Sequence, residues 1–211
     1  MVRTADRDGV IAPRLSSGPH SSVGAMSSEA VLKTVIPALE KAQIAFMVVG
    51  SFASNLYVTG RATQDIDLVI SATPEQIRTF LSALPADYYA DVNAALDAWR
   101  HKSMFNILDM EYGWKVDLIF EKPTSYHRLA FQRRVPAEID SVSVFAATAE
   151  DVILAKLDWA KMGSSARQIE DVAGILKVQQ EALDLPYIEN WVAQLGLSEQ
   201  WAAARKAAGL A

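Results

Sequence analysis

The stretch Ala45-Phe-Met-Val-Val-Gly50-Ser-Phe-Ala-Ser-Asn-Leu-Tyr-Val-Thr-Gly60-Arg-Ala-Thr-Gln-Asp65-Ile-Asp-Leu-Val-Ile70 decides how this chain is read. An apolar strand, 45–49, runs into Gly50-Ser51, and a second strand opens with Asp65-x-Asp67. Strand side chains alternate, so Asp65, Asp67 and Val69 share one face while Ile66, Leu68 and Ile70 share the other. Positions 66, 68, 69 and 70 are all apolar, which predicts a strand covered on both faces rather than a solvated edge. Two carboxylates on one strand face repel unless positive charge lies between them. A divalent cation, Mg²⁺ or Mn²⁺, shared with nucleotide phosphates resolves that conflict. Gly50-Ser51 reads as a strand-to-helix turn, with Gly50 for backbone freedom and Ser51 as N-cap of a helix reaching about Val58. The same geometry would offer first-turn amides and a positive dipole end to the β and γ phosphates of a nucleotide.

A third carboxylate extends the pattern. Lys115-Val-Asp-Leu-Ile-Phe120 is another apolar strand, and it sets Asp117 on one face with Lys115 and Ile119. An acid inside an apolar run calls for a partner. Beside the strand at 65–70, it would bring three carboxylates together, enough for two metal ions and an in-line displacement at phosphorus. The plainer reading is a surface ion pair with Lys115 on a hairpin. Asp109 and Glu111 bracket the turn of that same hairpin and read as solvent-facing. The three histidines, at 20, 101 and 127, have no metal-ligand spacing.

Gly50-Ser51, Asp65-x-Asp67 and Asp117 together resemble the signature of the nucleotidyltransferase superfamily with the DNA polymerase β fold. Arg61-Ala-Thr63-Gln-Asp65-Ile-Asp67 is similar to the Arg-x-Thr-x-Asp-x-Asp of its small bacterial stand-alone members, including the AbiEii-type toxins. Later in the chain, Asp151 to Lys156, a Gly-containing loop and the segment Arg167-Gln-Ile-Glu-Asp171-Val also look like the AbiEii-type pattern. The resemblance covers about residues 28 to 178. It implies a mixed sheet flanked by helices, and transfer of an NMP from an NTP to an acceptor hydroxyl. Under it, Gly50, Ser51, Arg61 and Thr63 would serve the nucleotide, and Asp65, Asp67 and Asp117 would hold the metal and carry the catalysis. Lys156 would meet the triphosphate, and Asp171 would orient Lys156 or Arg167. A tRNA, a protein or a small molecule of the aminoglycoside kind would be the acceptor, and a toxin would bring a cognate antitoxin as partner. A non-catalytic nucleotide-binding or interaction module is the reading from a different class.

The rest of the chain frames these motifs. The 211 residues carry a net charge of −5, no cysteine and an apolar half. That composition excludes disulfides and thiolate metal sites, and it argues against a surface wholly given to nucleic acid. No run reaches the length of a membrane span, so the expected setting is the cytoplasm. Residues 1–26 are rich in Ser, Gly and Pro without any period and read as a disordered leader.

From 27 to 147 strands and helices mix, giving an α/β (α+β) catalytic core, and 148–211 is helical throughout. Helices are predicted over 29–43, 73–84, 92–101 and 125–134, and strands over 86–90, 105–109 and 114–120. Ser141–Phe145 alternates cleanly and reads as a final edge strand. Helices over 149–162, 166–180, 184–195 and 198–208 follow. In the first of these, Val152, Ile153, Leu157 and Ala160 form the apolar face, which would leave Lys156 and Lys161 as solvated charges. The run Lys122, Tyr126, His127, Arg128, Phe131, Arg133 and Arg134 could steer a polyanion, although a solvated helix face is the simpler reading.

Overall fold

A computed structural model of the chain describes residues 28–58, 63–163 and 165–210. The expected leader and Arg61 lie outside the described residues. Elements follow in the order α1 (Ser28–Lys41), β1 (Ala45–Val48), α2 (Gly50–Ser54), β2 (Asp65–Ser71), α3 (Pro74–Ala83), β3 (Tyr88–Tyr89), α4 (Val92–His101), β4 (Met104–Asp109) and β5 (Lys115–Phe120). Then come α5 (Ser125–Gln132), β6 (Val135–Ile139), β7 (Val142–Ala146), α6 (Ala149–Gly163), α7 (Ala166–Gln179), α8 (Leu185–Leu195) and α9 (Ser198–Ala208).

Among the described residues seven strands form one mixed sheet, in the order β3-β4-β5-β2-β1-β7-β6. β2 lies inside it, antiparallel to β1 and parallel to β5. Its even-numbered face, Ile66, Leu68 and Ile70, is fully buried with Leu32, Ile77 and Phe80 in the same core. Burial of such side chains stabilises by about 1.5–3 kcal/mol each and leaves one register open to β2. That register turns Asp65, Asp67 and Val69 to the opposite face. Local chemistry agrees: Thr73 and Gln76 make a capping box with Pro74 in the first turn of α3, and Asp91 caps α4.

Three expectations are corrected. Ser141–Phe145 is not an edge strand, because β7 pairs with β1 on one side and with β6 on the other. The edge is β6, hidden in the sequence by Pro136, which cannot donate to a ladder and is tolerated at a sheet margin. The helix expected over 125–134 therefore ends earlier, at Gln132. Ser51 is not an N-cap, since Val49 occupies that position of α2 without a side-chain bond. Ser51 sits inside the first turn of a helix only five residues long.

A further correction concerns Asp109, which is 2% exposed rather than solvent-facing. Its Oδ1 accepts from the amides of Glu111 and Tyr112 and shapes the hairpin turn, while Oδ2 has no partner among the described residues. Glu111 is exposed as expected. Asp109→Ala should therefore lower stability by about 1–3 kcal/mol in chemical denaturation, by loss of two turn bonds. A change within about 0.5 kcal/mol, the range of a surface substitution, would contradict this placement.

Candidate active site

The parallel pairing of β2 and β5 sets Asp67 level with Asp117 and Asp65 level with Lys115. Asp67 is half-buried, and its carboxyl is pushed up to about 6 by burial first, then by Asp117 and Asp65. Asp117 is buried, and its Oδ1 finds no hydrogen-bond partner among the described residues. Its Oδ2 lies 2.9 Å from Lys115 Nζ, which also stands 3.5 Å from Asp65 Oδ1. The Asp117 hydrogen bond is the main reason that the Lys115 ammonium is held above its ordinary range. Asp65 is 56% exposed and leans on that ammonium. Among the described residues no three carboxylate or imidazole groups close around a single point as a finished metal cage.

Gly50 is tied into this corner by sterics. Its φ is +63°, and a Cβ built on it would collide with the Asp67 carboxylate. Only a bare Cα lets β2 approach so closely. The Val49 N–H donates to the Asp67 carbonyl at 2.9 Å and fixes the same contact through the backbone. Thr63 has a local role, accepting the Asp65 N–H at 3.2 Å as the chain enters β2.

The helical half supplies the other wall. Lys156 is 5% exposed rather than solvated, because α6 is packed against α7, α8 and α2. Its Nζ donates to Asp171 Oδ2 at 2.7 Å and to Gln168 Oε1 at 3.4 Å. Asp171 thus orients Lys156, and Arg167 is exposed. Lys156 is near enough to hold the Asp67 carboxyl down slightly against burial. Lys161 is exposed and donates to the Leu195 carbonyl at the end of α8.

A cavity of about 390 Å³ lies between the sheet and helices α5 to α7. Gly50, Ser51, Asp67, Lys156 and Gln168 line it, with Met47, Val69 and Ile119 from the sheet. Glu121, Lys122, His127, Asp158, Trp159 and Met162 complete the wall. The sequence reading missed Trp159 and Met162, which are 60% and 61% exposed. An aromatic off the apolar stripe of α6 was the available signal.

Of the expected basic cluster, Arg133 and Arg134 are spent internally, while Lys122 and Arg128 are exposed. Arg133 lies 3.3 Å from both Asp151 and Glu150 and stacks 3.9 Å over the Tyr187 ring. Arg134 donates to the Phe131 carbonyl and covers the Phe131 and Phe145 rings. Tyr126 and Phe131 are buried. Asp151 is raised by burial and held by Tyr187, Thr148 and Arg133. This knot joins α5, α6 and α8, so Arg133 is held by its neighbours rather than solvated.

No protein-family model and no curated protein matches the chain. Among solved structures, it is similar to the antibiotic-resistance factor ANT(2'')-Ia, with 13% identity over 84% of this chain and 94% of that one, at a TM-score of 0.48. It is also similar to an antigenic nucleotidyltransferase-like protein from Paracoccidioides brasiliensis, with 16% identity over 86% and 95% of the two chains, at a TM-score of 0.49. Likenesses this distant carry no argument about chemistry, which rests on the geometry above. Among the described residues no helix is long and apolar enough to cross a membrane.

The raised Asp67 carboxyl gives a pH prediction for metal-free protein. Its ordinary value is 3.8 and its folded value about 6, so folding favours the protonated form. That contribution is full below about pH 4 and is lost as pH rises through 6. Asp67→Asn should therefore melt higher than wild type at about pH 7.5 in EDTA, with the gap closing towards about pH 4. A gap that does not change with pH would contradict the electrostatic origin of the shift.

Proposed function

We propose that this chain is a metal-dependent nucleotidyltransferase. The observation that carries the reading is Asp67 beside Asp117 on adjoining parallel strands, with the buried Asp117 Oδ1 unpartnered. Two carboxylates level with each other, one raised by burial and then by the other, and one with an orphaned oxygen, fit a divalent cation, Mg²⁺ or Mn²⁺. Asp67 and Asp117 would hold it, with Asp65 joining from its exposed position. When bound, that cation supplies neutralising charge at the phosphates.

This chain's own residues do the rest. Gly50 and Ser51 would present backbone amides, and the Ser51 hydroxyl, to the β and γ phosphates. A five-residue helix has a small dipole, so these amides rather than the macrodipole would carry the contact. Lys156, pre-aimed by Asp171, would meet the triphosphate, and Arg61 and Thr63, just ahead of β2 in the sequence, would also serve the nucleotide. The acceptor hydroxyl, activated beside Asp117, would attack the α-phosphorus and release its proton to solvent. One P–O bond forms as the bond to pyrophosphate breaks. Positioning and charge neutralisation account for most of such a rate enhancement.

A small acceptor bearing amine groups fits the cavity better than tRNA. The side chains of Glu121 and Asp158 line it without an ion pair or hydrogen bond among the described residues, Lys156 there is tied to Asp171, and the Trp159 ring is open. Carboxylates beside an aromatic face suit an ammonium, and repel a polyanion. A tRNA or protein acceptor, with the toxin–antitoxin role and cognate antitoxin that it would bring, is the second reading.

The test is release of pyrophosphate and transfer of label from α-labelled NTPs to a panel of aminated sugars, and to tRNA. Asp67→Ala should cut transfer by about 10³-fold or more while the circular dichroism spectrum is kept. Turnover near the wild-type rate in that variant would overturn the assignment. Transfer to tRNA alone would select the second reading.

A further inference from the structure

Three aspartates crowd one corner of the sheet, yet among the described residues only Lys115 lies within ion-pair distance of any of them. Lys156 is committed to Asp171, on the other side of the cavity. Lys115 reaches both Asp117 and Asp65, from the same face of the next strand. We propose that Lys115 is a resident counter-ion, which holds Asp65 and Asp117 until a divalent cation draws Asp65 away from it. This inference rests on the metal-site reading above and adds a positioning residue that competes with the metal.

The asymmetry of the two contacts sets the order of events. Asp117 divides its oxygens, Oδ2 to Lys115 and Oδ1 to nothing among the described residues. A cation can therefore take Oδ1 while Lys115 keeps Oδ2. Asp65 has the longer contact, 3.5 Å against 2.9 Å, and the more exposed side chain. An exposed, loose ion pair contributes little and is readily broken. Asp65 is thus the carboxylate that Lys115 releases. Part of the cation's attraction goes into parting Asp65 from Lys115, so metal affinity is lower than three bare carboxylates would give.

The test is binding of Mn²⁺ alone, followed by electron paramagnetic resonance, on wild type, Lys115→Met and Asp67→Asn/Asp117→Asn. Lys115→Met keeps the apolar stem and removes the charge, so it should bind Mn²⁺ about tenfold more tightly than wild type. Lys115→Gln, which keeps a hydrogen-bond donor, should move in the same direction and stands in if the Met variant does not fold. Equal or weaker Mn²⁺ binding in the charge-removed variant would overturn this inference alone, leaving Lys115 as a surface ion pair or a support for Asp117. Wild type that binds no more Mn²⁺ than the double aspartate variant would overturn the metal site itself, and this inference with it.

Discussion

The contact between the Asp67 carboxylate and the bare Cα of Gly50 is the constraint on which the site depends. It forces the turn after β1 against β2, so the amides of α2 and the carboxylates of β2 occupy one corner. Parallel pairing then sets Asp117 beside Asp67, and burial raises the cost of two adjacent negative charges. Natural cores seldom keep such a conflict without a use for it. A divalent cation would settle it, and the residues already present have the right donors.

Two lysines answer the negative charge in different ways. Lys156 is buried and locked to Asp171, so its position is set before any ligand arrives. Lys115 is more exposed and shared between two carboxylates, so its position depends on what else enters the site. Preorganisation on one side and exchange on the other suit a site that takes up both a triphosphate and its metal. The knot of Arg133, Asp151 and Tyr187 ties α6 to the end of α5 and to α8, beside the same cavity.

Much of the fold was legible because local and tertiary signals agreed. Alternation placed β2 and β5, and the helices expected over 73–84 and 92–101 are α3 and α4, within a residue or two. β6 was lost because Pro136 reads as a strand breaker until an edge position excuses it. The carboxylates were legible as polar residues inside apolar runs. Three things were not, because they depend on contacts far apart in the chain. Burial of Lys156 comes from α7 packing over α6, burial of Asp109 from a turn folding back over its own side chain, and capture of Arg133 from Asp151 and Tyr187. A sequence shows charges of that kind as surface residues, since burial of a charge is decided by its partner.

The central claim is a nucleotide and metal site at Gly50, Asp67 and Asp117, and its most direct test is thermal unfolding with each NTP, with and without Mg²⁺. Wild type is compared with Asp65→Ala/Asp67→Ala, and only the shift caused by ligand is counted. A nucleotide present at about 100 times its dissociation constant adds roughly 2.7 kcal/mol, a rise of several degrees in Tm. The account predicts that rise for at least one NTP, dependent on Mg²⁺ and lost in the double variant. No shift with any nucleotide, or an equal shift in the double variant, would contradict it.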